Sequence, residues 1–219
     1  MKIHQVIATI ELAYGQMGEE ARVEEVRIEQ CEQRLGTNLP YALRTLYMQT
    51  GNHQFHHGCD DLVALEQMNF EKEFLVFYTQ DQGAFAWGIN RKDINLTDPQ
   101  VWAIYDDETI IDSSSVSSFL AFEAAWQAIN GGALPHYGIL DEYSQEQVAF
   151  SPAQFESLGE FVAKTRHGEV RCREGAILLH RFEGEGFLGL AAATTKVFHE
   201  TAKHLGVSIN EWTISSFEP

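Results

Sequence analysis

Basic residues are scarce in this chain: 15 lysines and arginines stand against 32 aspartates and glutamates, a formal charge of −17 at pH 7. Such a surface repels the phosphate backbone, which argues against direct DNA or RNA binding. It favours basic partners by steering and by complementarity at an interface rim, and it also serves solubility alone. Long apolar runs are absent as well. No stretch approaches the roughly 18 apolar residues that a membrane-spanning helix needs, and the opening MKIHQVIATIELAYG offers only Lys2 as a basic region before an apolar run that Glu11 interrupts, so no secretory signal is expected. Cysteine is sparse: Cys31, Cys59 and Cys172 lie far apart with no C-x-x-C pair. An odd, scattered set suits reduced thiols in a cytoplasmic protein. Prolines number only 5, and there is neither internal repeat nor low-complexity tract.

What is present is the composition of a folded protein, with 44% apolar and 11% aromatic residues over 219 positions. A chain of this length buries roughly 70% of the surface its unfolded form exposes. Ile3, Val6, Ile7, Ile10 and Tyr14 recur at helical spacing before Gly15. Between Glu19 and Leu35, Val23, Val26, Ile28, Cys31 and Leu35 predict an exposed amphipathic helix capped by Gly36. A third helix starts at Pro40 and carries Leu43, Leu46 and Tyr47 to a stop at Gly51. From Phe74 the period changes: FLVFY (74–78), AFAWGI (84–89), VWAIY (101–105) and TII (109–111) are short, β-branched and aromatic. Without helices between them they predict an antiparallel meander, with Asp81-Gln82-Gly83 as its clearest turn. The serines at 113–115 then cap a helix through Val116, Phe119, Leu120, Glu123 and Trp126 to about Asn130.

The rest repeats this flavour on a smaller scale. Ser151-Pro152-Ala153-Gln154 reads as a capping box opening a helix through Phe155, Leu158, Phe161 and Val162 that Gly168 closes. Strands are expected around Val170 to Phe182 and Phe187 to Ala192, then a helix with Val197, Phe198, Thr201 and Leu205, and a terminal VSINEWTI strand. Gly131 to Pro135 is the best boundary, dividing residues 1–132 from a C-terminal α+β extension at 133–219 that either folds alone or completes the core of the first domain.

Several clusters carry possible chemistry. TGNHQFHHGCDD (50–61) holds His53, His56, His57, Cys59, Asp60 and Asp61, all eligible as metal ligands. Their spacing matches neither paired C-x-x-C nor H-E-x-x-H, so no metal is assigned; an exposed His and Asp loop is instead a contact surface. Gly184-Glu185-Gly186-Phe187-Leu188-Gly189 is a literal G-x-G-x-x-G, but no helix N-cap follows its third glycine, and a glycine-rich hairpin is the better reading. Asp106, Asp107 and Glu108 sit between two strand signals as a solvated turn or a contact for a basic partner. The four tryptophans, Trp87, Trp102, Trp126 and Trp212, fall inside predicted elements and read as core. No G-x-S-x-G or cysteine-nucleophile signature occurs, and no cofactor is expected.

The order of signals from about 24 to 130 resembles the SMI1/KNR4 (SUKH) superfamily. Ile28-Glu29, Glu32-x-x-Leu35-Gly36, Leu39-Pro40 and Tyr47-Met48-Gln49-Thr50-Gly51-Asn52 look like its opening; Leu62 to Leu65, FLVFY, Asp81-Gln82-Gly83, Ala86-Trp87-Gly88, Pro99 to Val101 and SSFLAFE follow in its order. The likeness covers roughly half the chain and rests on order and spacing, each motif being weak singly. Thr50-Gly51-Asn52 stands where the family often shows Asn-Gly-Gly, and the histidine loop and C-terminal extension are departures. The resemblance implies an α+β fold with helices on a mainly antiparallel sheet, no catalysis, and an immunity protein that neutralises a polymorphic toxin, often a basic nuclease. His53, His56, His57, Asp60, Asp61, Asp106, Asp107 and Glu108 are then the candidate partner-binding residues. The alternatives are a regulatory scaffold of the same type and, in another class, a metal-dependent hydrolase using His53, His56 and His57.

Overall fold

The computed structural model describes residues 3–80, 82–130, 134–141, 160–181, 187–206 and 212–214. Over these the chain is α+β, with two antiparallel sheets and helices between and beside them.

Helix α1 (Ile3–Tyr14) buries Ile3, Val6, Ile7 and Ile10, and the Tyr14 hydroxyl donates to the Ala124 carbonyl far along the chain. The helix expected from Glu19 is shorter: a 3-10 turn at Glu19–Ala21 gives way to extended backbone, and α2 spans Glu25–Leu35. Val23 explains the break. Its side chain is buried and its N–H donates to the Tyr47 carbonyl at 3.1 Å, so residues 22–24 are committed to α3 rather than to a helical turn. Gly36 ends α2 in the left-handed region (φ 69°), where a glycine avoids the Cβ clash that other residues meet. Helix α3 (Tyr41–Thr50) begins one residue past Pro40, which occupies the extended cap position.

Sheet A contains the expected meander, β3 (Phe74–Gln80), β4 (Ala86–Asn90), β5 (Val101–Ile104) and β6 (Thr109–Ser113). Two short strands add to the free edge of β3, β1 (Asp60–Leu62) and β2 (Asn69–Glu71). Helix α4 (Val116–Asn130) starts where Ser118 N–H donates to the Ser115 hydroxyl, and every residue of it except Trp126 and Asn130 is buried. A helix apolar nearly all round belongs in the middle of a protein, and α4 lies there.

Sheet B follows in the order β12–β7–β11–β10–β9–β8, with β7 (His136–Asp141), β8 (Glu160–Lys164), β9 (Gly168–Arg173), β10 (Ala176–Arg181), β11 (Phe187–Ala192) and β12 (Thr213–Ile214). Here the sequence reading needs correction. The helix expected over 151–168 is a strand in its described part: residues 160–164 pair with β9, and Gly168 opens β9 through a turn in which Thr165 N–H donates to the Gly168 carbonyl. Consecutive apolar residues at 161–163 fit either period, and pairing with β9 decided it. Residues 151–159, which carry the proposed capping box, lie outside the described residues, as do 184–186 of the glycine motif and most of the VSINEWTI segment. Beyond Gly189 the chain continues as strand to Ala192 and pairs antiparallel with β10, so no helix N-terminus follows the third glycine.

Sheet B is buried on both faces, which β10 shows by alternation: Ile177 and Leu179 point into the core shared with α1 and α4, whereas Ala176 and Leu178 point to a second cluster. That second cluster holds Leu188, Leu190, Phe198 and Trp212 and is roofed by α5 (Thr195–His204). Gly138 on β7 is required there, since a Cβ would stand 2.9 Å from the Phe198 ring. The main cluster runs without interruption from Ile3 through Phe77 and Phe119 to Ala191. Residues before and after the glycine-rich 131–132 therefore share one core.

Candidate functional site

The histidine loop is built rather than loose. Phe55 is buried against Tyr14 (ring centroids 5.1 Å) and between His53 and His56. His53 Nδ1 accepts from the Phe55 N–H at 3.2 Å, and partial burial lowers its pKa. His56 is only 1% exposed. Its Nε2 stands 3.1 Å from the Thr50 hydroxyl, which itself donates to the Leu46 carbonyl. That leaves the threonine oxygen to accept, so the ring carries its proton on Nε2, and the buried Nδ1 has no hydrogen-bond partner among the described residues. Burial, reinforced by His57 and His53, holds the His56 pKa well below the usual range and keeps the ring neutral. Gln127 of α4 fastens the next turn, accepting from Cys59 N–H at 2.7 Å and donating to the Asp60 carbonyl at 2.6 Å.

The three imidazoles therefore face Phe55 N–H, Thr50 and Asp61 separately. No group of three or more His, Cys, Asp or Glu placed to hold a metal occurs among the described residues. The candidate contact set also divides. His56 and Asp60 are buried and present nothing to a partner, and His53 is half-buried beneath Tyr14. His57 and Asp61 are exposed and paired, Nδ1 to Oδ1, at 3.0 Å.

Asp61 points outward because β1 is a strand: Asp60 and Leu62 are buried while Asp61 faces the other way. Register then places it. Asp61, Thr79, Ala86, Ile104 and Thr109 form one cross-strand row from β1 to β6. A second row runs Asn69, Val76, Gly88, Trp102 and Ile111, and a third Glu71, Phe74 and Asn90. All belong to the face of sheet A that points away from α4. It is an open face, with Ile111 44% exposed and Phe74, Trp102 and Ile104 half-buried. Trp102 thus leaves the core position expected of it and rests near Phe74, ring centroids 5.9 Å apart. Gly88 lets these side chains close over the sheet, because a Cβ there would meet Ile104 Cδ1 at 2.8 Å.

Two depressions cross this face. One, about 470 Å³, lies over Phe74, Phe85, Ala86, Ile104 and Tyr105 and is rimmed by Glu71, Asp106, Asp107 and Glu108. The other, about 400 Å³, lies over Leu62, Val76 and Thr79 and is rimmed by His57, Asp61 and Glu71. Glu71 and Thr79 line both, so together they make one trough. Phe85 and Tyr105 stack (4.8 Å, 27°) at one end, where Tyr105 N–H donates to the Glu108 carbonyl and closes the acidic turn. Among the described residues that line it, Lys72 is the one lysine or arginine. The trough brings together two of the candidate groups, His57 and Asp61 with Asp106, Asp107 and Glu108, which are 45 residues apart in the chain. Glu71, Phe74, Thr79 and Ile104 were missed. The available signal was an apolar residue on both parities of FLVFY, which a strand with one solvated face does not need.

The described residues thus define an α+β protein with antiparallel sheets, one of which carries an acidic, apolar-floored trough. Comparison of the chain with protein-family models, with curated proteins and with solved structures returns no match. No helix among the described residues is long and apolar enough to cross a membrane.

Proposed function

We propose that this chain is a non-enzymatic protein-binding module of SMI1/KNR4 type, an immunity protein that neutralises a basic toxin domain, such as a nuclease, by stoichiometric occlusion. One observation carries the reading: Asp61, Glu71, Asp106, Asp107 and Glu108 gather around a half-exposed apolar floor. Apolar centres with charged rims are how protein interfaces are built, and a basic partner is the one this rim steers. The resemblance over residues 24–130 supplies the toxin, and the acidic excess of the chain agrees with it.

The test is co-expression with a toxin-like product of a neighbouring gene. A one-to-one complex and restored growth are expected; growth arrest that this chain fails to relieve would leave a regulatory scaffold in its place. Elemental analysis of the purified protein addresses the hydrolase, since that reading requires near-stoichiometric metal lost on replacing His53, His56 and His57.

A further inference from the structure

From the register of sheet A we infer that the trough receives an extended cationic segment of the partner, lying across the strands with a basic side chain at each end and aliphatic ones between. The inference rests on the protein-binding function proposed above and specifies its ligand. The row Asp61, Thr79, Ala86, Ile104, Thr109 crosses β1, β3, β4, β5 and β6. Four strand-to-strand steps of about 4.8 Å make it about 19 Å long. Carboxylates mark both ends, Asp61 at β1 and Asp106, Asp107 and Glu108 at the β5–β6 turn, and Glu71 on β2 adds a further one on the β1 side of the sheet. Between them the floor is Thr79, Ala86 and Ile104, widened by Phe74 and Val76.

An extended chain rises about 3.3 Å per residue and turns alternate side chains to one face. A downward set at positions one, three, five and seven therefore spans about 20 Å, which matches the row. Positions one and seven meet the carboxylates, and three and five meet the floor. Arginine suits the ends, since its fork pairs bidentately with carboxylates and its stem lies along apolar surface. The carboxylate rim repels the alternatives that carry phosphate, a nucleic acid or an anionic bilayer.

The experiment is an amide ¹H–¹⁵N titration of the full chain with the blocked heptapeptide Arg-Ser-Val-Thr-Val-Ser-Arg at low salt. Shifts are expected at the row from Asp61 to Thr109 and at the 105–108 turn. A peptide with glutamates at both ends should give none, and one with both valines replaced by serine should bind about tenfold more weakly, as loss of two aliphatic contacts implies. The triple variant Asp106→Asn, Asp107→Asn, Glu108→Gln should lose about tenfold in affinity for the parent peptide, with the loss shrinking as salt is added. No shifts at millimolar peptide, shifts scattered over other carboxylates, or equal binding of the serine peptide would each overturn the proposal. The same triple variant separates this inference from the function beneath it. A toxin domain captured equally by wild type and variant refutes the trough and keeps the function; peptide binding in the trough without toxin capture does the reverse.

Discussion

Gln127→Leu is the sharpest perturbation of the histidine loop that leaves its imidazoles untouched. Gln127 is fully buried, and its amide matches two backbone groups of the loop, Cys59 N–H at 2.7 Å and Asp60 C=O at 2.6 Å, with the Tyr78 hydroxyl 3.4 Å away. Leucine keeps the volume and offers neither a donor nor an acceptor. Withdrawing the partner of a buried polar group costs about 1–3 kcal/mol, hence about 2–6 for two groups. Extra apolar burial returns about 1 kcal/mol, and a net loss of about 3 kcal/mol is expected. In urea unfolding followed by tryptophan fluorescence, a slope of about 2–3 kcal/mol per molar puts the midpoint about 1–1.5 M lower, with the slope itself unchanged. Hydrogen exchange should accelerate first at β1, which this side chain holds against α4. A midpoint shift under about 0.3 M at constant slope would refute the reasoning, since it would mean that the loop is held by its rings and not by this amide.

His53 and His56 are held below the ordinary imidazole range, so the unfolded chain binds more protons below about pH 6.5 and stability falls as pH drops from there towards the folded values. His56→Gln should flatten that profile in thermal melts between about pH 7.5 and 5, and parallel profiles would contradict it. Lys72 holds φ at 53° in the β2–β3 turn, so Lys72→Gly should stabilise the fold by about 1 kcal/mol and, by removing a cation that lines the trough, tighten the heptapeptide. Asp112 on β6 holds its buried Oδ1 2.7 Å from His167 Nε2, and its backbone carbonyl accepts from Arg166 N–H, tying the two sheets together; Asp112→Ala removes the carboxylate and keeps the carbonyl bond, and should cost about 1 kcal/mol in chemical denaturation.

Local rules locate most elements from the sequence alone. The meander announced itself through β-branched runs bounded by Gly and Asp, and α4 through its serine cap, because these signals are set by neighbours in sequence. Phe161 to Ala163 defeated the same rules, since three consecutive apolar residues carry no period and β9, a partner in space, decided their state. Strands β1 and β2 were invisible for a related reason: DDL and NFE are too short to show alternation, and only the free edge of β3 makes them strands. Within the candidate site, the carboxylates were legible as charged turns. That two of the three histidines fold inward was not, because Phe55 draws His53 and His56 beneath Tyr14 only once α1 is in place.

The trough itself follows from an asymmetry between the sheets. Sheet B is covered on both sides, by α1 and α4 within and α5 without, and its interior strand β10 accordingly opens with four consecutive apolar residues, AILL. Among the described residues, helices cover sheet A on one side, yet β3 is almost as apolar, with Phe74 and Val76 on the face that no described helix covers. A face left to water alone would carry polar residues at those positions, as antiparallel sheets with one wet side do. Apolar residues there, ringed by carboxylates from one turn and two strands, are what the proposed protein-binding surface requires. The substitution Ile104→Thr should then cost the fold little, because that side chain is half-buried on the outer face, and should weaken partner binding far more. Equal losses in both would show that the face serves stability alone.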